Sequence, residues 1–378
     1  MEPVSNFYGA GSLCFNINEF TFASSISLRP RHARTNCKYW RAVFLQLAKH
    51  NIDDMEKCLI IFCTFCLLLF PDFVSARGRL VPLDSIFLSD PSILADHNTQ
   101  MYYMTGTGGK LWKSRDLKMW DGPYDVVKIN PDSWMGKNPM IWAAELHQYK
   151  GKYYYFATFT NGDVKIDTVR GNVIERRACQ VLVSDKPDGP YLQFGDSTYL
   201  PANRPTLDGT FWIDRDGKPY MVYCGEWLQN WNGIIEKIEL KGDLSGTIGE
   251  GKVLFRASDS PWSREKAGNK IVPNKVTDGP YLFRTGTGRL GMLWTSWIYN
   301  VYTQGVAYSA SGTLDGPWIQ SPDPITPPDY GHSMLFRTLD GKWMMSIHRH
   351  SVINGRTIRV PHIFPVDLST DKLIVCDK

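Results

Sequence analysis

The sequence predicts an all-β fold, a five-bladed β-propeller, on three observations. An apolar run breaks five times at a Gly- or Asp-containing turn and restarts as an aromatic-rich run. The five units are Leu88-Ser-Asp-Pro-Ser-Ile to Met101-Tyr-Tyr-Met, Trp142-Ala-Ala-Glu-Leu to Tyr153-Tyr-Tyr-Phe, Asp208-Gly-Thr-Phe-Trp to Tyr220-Met-Val-Tyr, Asp278-Gly-Pro-Tyr-Leu to Leu290-Gly-Met-Leu-Trp, and His332-Ser-Met-Leu-Phe to Trp343-Met-Met. Such self-similarity is what a radial repeat leaves in a chain. Four of the units carry an acid near the start and the fifth a histidine. From Arg77 onward, short β-rich runs alternate with Gly, Asp, Asn and Pro turns, with hardly an amphipathic helix among them. In a propeller the first strand of each blade lines the central channel. Asp90, Glu145, Asp208, Asp278 and His332 are therefore expected to meet at one end of it.

Taken in order, residues 1–54 lack sustained periodicity and carry a basic patch, Arg29-Pro-Arg-His-Ala-Arg34. They read as a mis-assigned or unfolded extension. Residues 55–76 have a short charged start at Met55-Glu-Lys, an apolar run of about a dozen residues and a Val-Ser-Ala exit, the form of a secretory signal peptide cleaved after Ala76. The run is too short for a comfortable transmembrane helix. The mature protein is thus expected at residues 77–378, secreted or periplasmic, with no membrane span. Cys58, Cys63 and Cys66 fall in the leader, which leaves Cys179, Cys224 and Cys376, without metal-ligand spacing and with at most one disulfide among them.

Within the propeller, Tyr149-Lys-Gly-Lys, Asp214-Arg-Asp-Gly-Lys and Thr338-Leu-Asp-Gly-Lys read as hairpin turns joining first to second strands. Ser114-Arg-Asp-Leu-Lys-Met-Trp-Asp-Gly-Pro, Ser184-Asp-Lys-Pro-Asp-Gly-Pro-Tyr and Ser309-Ala-Ser-Gly-Thr-Leu-Asp-Gly-Pro-Trp repeat a serine, a turn and an aromatic near a Gly-Pro, where a third strand passes to a fourth. Gly286-Thr-Gly-Arg-Leu-Gly291 matches a dinucleotide-binding pattern in letters, but it leads into a β-like run and reads as a turn. Gly106-Thr-Gly-Gly-Lys110 lacks the spacing of a phosphate loop. No second domain interrupts the run from about Leu80 to the end.

A formal charge of +4 without a Lys/Arg stripe gives no footprint for nucleic acid. Aromatic content points elsewhere, because 13 Trp, 18 Tyr and 18 Phe exceed what one core of this size needs. Indole and phenol faces pack on the C–H faces of sugar rings, although blades also bury aromatics between sheets. Trp142, Trp212 and Trp297 are the candidate stacking platforms for an oligo- or polysaccharide. Oligomeric state is not legible.

Asp90-Pro-Ser-Ile, Trp142-Ala-Ala-Glu145, Asp208-Gly-Thr-Phe-Trp-Ile-Asp-Arg-Asp-Gly, Thr277-Asp-Gly-Pro-Tyr and Gly331-His-Ser-Met-Leu-Phe together resemble the successive blade-start motifs of glycoside hydrolase family 43. The resemblance covers essentially all of residues 77–378 in the right order. It implies a five-bladed propeller that removes α-L-arabinofuranosyl or β-D-xylosyl units from plant-type polysaccharides with inversion. Inversion needs one carboxylate to activate water and one carboxylic acid to protonate the leaving oxygen. By resemblance Asp90 is the general base, and Asp208 raises the pKa of the acid and orients it. The family usually has Glu-Gly-Pro where this chain has Asp278-Gly-Pro. Asp278 is the first candidate for the acid and Glu145 the alternative. His332 matches a position at which many members hold a central cation. No cofactor is required, and a structural calcium ion near His332 is the metal that the resemblance implies. The shortened acid also admits a lectin-like propeller that binds sugar without cleaving it. Retaining propeller enzymes would want an Asn-Asp-Pro context, where Ser89-Asp-Pro stands, or repeated Ser-x-Asp-x-Gly-x-x-Trp boxes, of which only a partial one is present.

Overall fold

The computed structural model describes residues 80–201, 203–264 and 275–376. The extension, leader and cleavage site expected within residues 1–76 lie outside the described residues. The fold is all-β: among the described residues, helix is confined to Trp227–Asn230 and to short 3-10 turns at Leu83–Ser85 and Ala257–Asp259.

The strands form four sheets. In the first, Ser92–Asp96, Met101–Thr105, Lys110–Ser114 and Met119–Asp125 are successive antiparallel neighbours, and Val81–Pro82 adds to the outer edge. The second repeats the plan with Met140–Tyr149, Lys152–Val169, Asn172–Ser184 and Tyr191–Gln193, with Val127–Lys128 added parallel at its edge. Thr206–Ile213, Pro219–Gly225, Ile234–Leu240 and Thr247–Arg256 make the third. The last sheet has eight strands, but its halves touch through a single parallel bridge between Thr303 and Tyr330. One half is Asp278–Arg284, Leu290–Ile298, Val301–Ser309 and Trp318–Gln320; the other is Tyr330–Arg337, Trp343–Ile353, Arg356–Asp367 and Ile374–Val375.

The first strands of these successive antiparallel units pack on one another in a closed series: Ser92–Asp96 on Met140–Tyr149, that strand on Thr206–Ile213, then Asp278–Arg284, then Tyr330–Arg337, which returns to Ser92–Asp96. Side-chain alternation explains the stacking. Along Lys152–Val169 the residues Tyr153, Tyr155, Ala157 and Phe159 enter the apolar cluster shared with the preceding unit, whereas Tyr154 and Phe156 enter the one shared with the following unit. A strand buried on both faces reads as a continuous apolar run, as Tyr153-Tyr-Tyr-Phe does. The ring closes where Tyr102, Met104 and Trp120 pack with Phe336 from the last unit. Trp294, fully buried between the third and fourth units, is worth about 3–5 kcal/mol against truncation to Ala.

The expected turns are where the sequence puts them, including Gly286–Gly291, which lies in the hairpin between Asp278–Arg284 and Leu290–Ile298. The outer repeats share one device. Ser114, Ser184 and Ser309 each accept a backbone N–H of the turn that follows, and the aromatic beyond it donates back to a turn carbonyl: Trp120 to Leu117 at 3.1 Å, Tyr191 to Pro187 at 2.8 Å and Trp318 to Leu314 at 3.0 Å. Cys179, Cys224 and Cys376 are free thiols.

Candidate active site

Four of the first strands carry a bulge at the same place. Cross-strand pairing skips from Trp142 to Glu145, Leu207 to Thr210, Asp278 to Tyr281 and Gly331 to Met334. The first skipped residue is left-handed each time: Ala143 (φ 43°), Asp208 (φ 54°), Gly279 (φ 50°) and His332 (φ 54°); Asp90, just before Ser92, matches them at φ 59°. This conformation costs a residue with a Cβ roughly 1–2 kcal/mol, and a bulge re-aims the side chain that adopts it. Each apex N–H is held by a neighbouring unit. Asp90 donates to His348 Nδ1 (3.0 Å), Ala143 to Thr107 Oγ1 (3.0 Å), Asp208 to Thr158 Oγ1 (2.8 Å), Gly279 to Asp208 Oδ2 (3.0 Å) and His332 to Thr295 Oγ1 (2.8 Å). At Gly279 a Cβ would lie 2.7 Å from the His332 ring, so glycine is required there by space as well as by φ.

Three of the apices, Asp90, Asp208 and His332, line a cavity of about 380 Å³. Asp90, Asp208, Asp278 and His332 line it together, with Trp142 and Trp297 on its walls. Six of the eight expected residues are thus brought together and two are not. Glu145 lies two residues beyond its apex, 3% exposed, accepting from Thr210 Oγ1 at 2.7 Å and meeting His147 Nε2 at 2.6 Å. It faces the packing between units and does not line the cavity, which removes the reason for offering it as the alternative acid. Trp212 lies four residues past Asp208, roughly 13 Å along an extended strand, where it pairs with Tyr220 and sits under the Arg284 guanidinium. It is a packing residue far from the cavity rather than a sugar platform.

The electrostatics follow from burial. Asp208 and Asp278 bring carboxyl oxygens within 4.8 Å of each other, and two acids so close disfavour each other's ionisation. Burial first, and the Asp278 charge second, push the Asp208 carboxyl well above the usual carboxylate range. Tyr302 donates its hydroxyl to Asp278 Oδ2 at 2.5 Å. Asp90 is held differently: His332 Nδ1 lies 3.1 Å from its Oδ1, and Thr107 donates to its Oδ2. Burial raises the Asp90 carboxyl, and His332 and Thr107 oppose the rise. His348 Nδ1 accepts the Asp90 N–H and so is unprotonated, in keeping with burial first, and then the neighbouring His332, His350 and Arg359, which drive the imidazole well below its ordinary value. The 3.3 Å approach of His348 Nδ1 to Asp90 Oδ1 is therefore no ion pair.

Sequence reasoning missed the layer that holds these acids. Tyr302 is stacked on His350 (4.6 Å, 9°) and on His348 (5.4 Å, 17°), with Trp297 beside them. Gly331 leaves room for the Tyr302 ring, which a Cβ would meet at 2.3 Å. Arg177 donates to Glu226 at 2.7 Å and lies 5.5 Å over the Trp142 ring. His348-Arg-His350 alternates within the second strand Trp343–Ile353, the one signal from which two of these residues could have been placed on a common face.

A cavity in which three carboxyls stand amid aromatic walls is one that can carry acid–base cleavage of a glycosidic bond. The family model for glycosyl hydrolases family 43 matches residues 81–374, and the chain belongs to that family. It is a glycosidase, and its substrate is carbohydrate. The chain resembles an endo-arabinase from Bacteroides thetaiotaomicron at 35% identity, with a TM-score of 0.67 over 77% of this chain and 98% of that one. An extracellular endo-α-(1→5)-L-arabinanase from Thermotoga petrophila is 29% identical over 230 residues, 51% of this chain and 44% of that protein, so the match spans less than half of that relative. A Bacteroides thetaiotaomicron endo-1,4-β-xylanase shares the fold at 21% identity, with a TM-score of 0.61 over 80% of this chain and 97% of that one.

Proposed function

We propose that the chain is a five-bladed propeller hydrolase that cleaves arabinofuranosyl linkages, or secondarily xylosyl ones, in plant-type polysaccharide with inversion. The closed series of first strands supports the five blades. The observation that carries the mechanism is the asymmetry among the acids: Asp208 and Asp278 stand together with their oxygens within 4.8 Å, while Asp90 is held apart from them by His332 and Thr107. Asp90 is the base that takes a proton from the attacking water, and its raised pKa suits a base working nearer neutrality. Asp278 gives its proton to the leaving oxygen, and the developing carboxylate is received by the Tyr302 hydroxyl. Asp208 keeps that proton in place beforehand and is itself fixed by the Gly279 N–H. Membership of a hydrolase family leaves the lectin alternative without support. The arabinan preference follows the two arabinanase relatives, one of them extracellular, and together with the expected leader it supports secretion.

Calcium near His332 remains a proposal of smaller scope. Asp208, Asp278 and His332 each bring one donor atom within 4.8 Å of the others. Calcium prefers six to eight oxygens, so three donors fit it only with several waters, and a cation there would compete with a proton on either carboxyl. No step of the reaction is drawn through it.

The test is sugar release by the full chain from linear arabinan, arabinoxylan and aryl glycosides, beside Asp90→Asn, with the product anomer read by NMR. Release of the inverted anomer that disappears in the variant supports the proposal. Release of the retained anomer sinks the mechanism, and release of xylose alone from arabinoxylan sinks the arabinofuranosyl preference.

A further inference from the structure

A second depression, of about 500 Å³, lies on the second antiparallel unit and shares no lining residue with the active-site cavity. Its position follows from strand alternation. Arg176 and Arg177 are consecutive on Asn172–Ser184 and so project to opposite sides. Arg177 lines the active-site cavity and Arg176 the second depression, paired across the strands with Thr160 and Asn161. The long hairpin of Lys152–Val169 and Asn172–Ser184 is the partition between them.

The walls of this depression are unsatisfied. Ser133 and Trp134 are each 6% exposed, and Ser133 Oγ, Trp134 Nε1 and Arg176 Nε are buried without a hydrogen-bond partner. Unmade hydrogen bonds of this kind cost about 1–3 kcal/mol each, and three in one depression call for acceptor oxygens. Asp132 and Asp196 are exposed at the border of the same space and offer acceptor oxygens to it, although Asp196 Oδ1 already takes Asn130 Nδ2 and Gln193 Nε2. Two carboxylates against one guanidinium disfavour an anion. The two acids also gather no third ligand of the kind a metal site needs: the only such group among the described residues is Asp208, Asp278 and His332. A ligand that donates and accepts through many hydroxyls without net charge is a neutral sugar, and the volume falls in the ordinary range for a small-ligand site.

We infer that this depression is a second saccharide-binding site, which holds a neutral pentose or hexose stretch of the polymer on the far side of the hairpin from the catalytic acids. It rests on the proposed function in taking the same polysaccharide. Tethering the polymer there raises its local concentration at the active site and leaves small substrates unaffected.

The test uses the full chain carrying Asp90→Asn, so that polymer is bound and not cut, in affinity electrophoresis through linear arabinan and, separately, arabinoxylan. Adding Arg176→Ala or Asp132→Ala is expected to weaken retention about fivefold or more. In the otherwise native enzyme the same changes raise the KM for polymer and leave kcat/KM for an aryl glycoside unchanged. Retention that neither change alters overturns the inference while the proposed function stands. A parallel loss on the aryl glycoside also overturns it, because Arg176 would then act through the active site. No retention of the Asp90→Asn chain on either polymer refutes the substrate reading itself.

Discussion

The second and third antiparallel units carry an acid in almost the same motif and put it to opposite uses. In Thr206–Ile213 the left-handed apex of the bulge is Asp208 itself, and its carboxyl lies in the cavity. In Met140–Tyr149 the apex is Ala143, and Glu145, two residues on, is turned into the packing against His147 and Thr210. The fourth unit is a third case, where the acid Asp278 stands one residue before the apex Gly279 and still reaches the cavity. An acid near the start of a first strand is therefore not enough: its place relative to the bulge apex decides whether its carboxyl lies in the cavity or in the packing.

Four experiments break or sharpen that comparison. Asp90→Asn, at an apex, is expected to lower turnover about 10²–10⁴-fold, the range for loss of a positioned base, with the thermal unfolding midpoint little changed. Turnover within tenfold of the native enzyme would remove Asp90 from the mechanism. Asp278→Ala should cost a similar factor on polymer and less than about tenfold on activated aryl glycosides, whose leaving groups need no proton; equal losses on both would assign the acid elsewhere.

The pH profile supplies the third experiment. Because burial raises Asp90, the acidic limb of activity should lie above the ordinary carboxylate value of 3.8, with activity lost as pH falls through it. On the proposed mechanism the basic limb reports loss of the proton that Asp278 donates. Asp208→Asn removes a negative charge and should move that limb to lower pH. Tyr302→Phe removes a donor to the ionised form and should move it to higher pH, each by about one unit. Shifts of the same sign in both variants would contradict the arrangement.

The smallest effect is expected at Glu145. Glu145→Gln keeps the shape and a hydrogen bond to Thr210, so unfolding free energy should fall by about 1–3 kcal/mol with aryl-glycoside kcat unchanged. A large loss of kcat at full stability would restore Glu145 as an acid.

Much of this protein was legible in the chain. Repeated runs such as Tyr153-Tyr-Tyr-Phe mark strands buried on both faces, since burial acts on local composition. Turns such as Thr338-Leu-Asp-Gly-Lys mark themselves through glycine's access to positive φ, and Asp90, Asp208, Asp278 and His332 were found because each stands at or beside a turn-like motif. Glu145 and Trp212 were misplaced because a one- or two-residue offset in a strand changes face or height, and the bulge that sets the offset is a pairing feature between strands. The layer of Tyr302, His348 and His350 was invisible for a related reason. Its members come from two units and meet only when the sheets stack, and the hydroxyl of Tyr302 acquires a role only where packing brings it 2.5 Å from Asp278. Sequence by itself determined the strands, the turns and the supply of acids, all properties of neighbouring residues. Tertiary structure alone decided which acids stand together, because that depends on distance and burial between residues 70 positions apart.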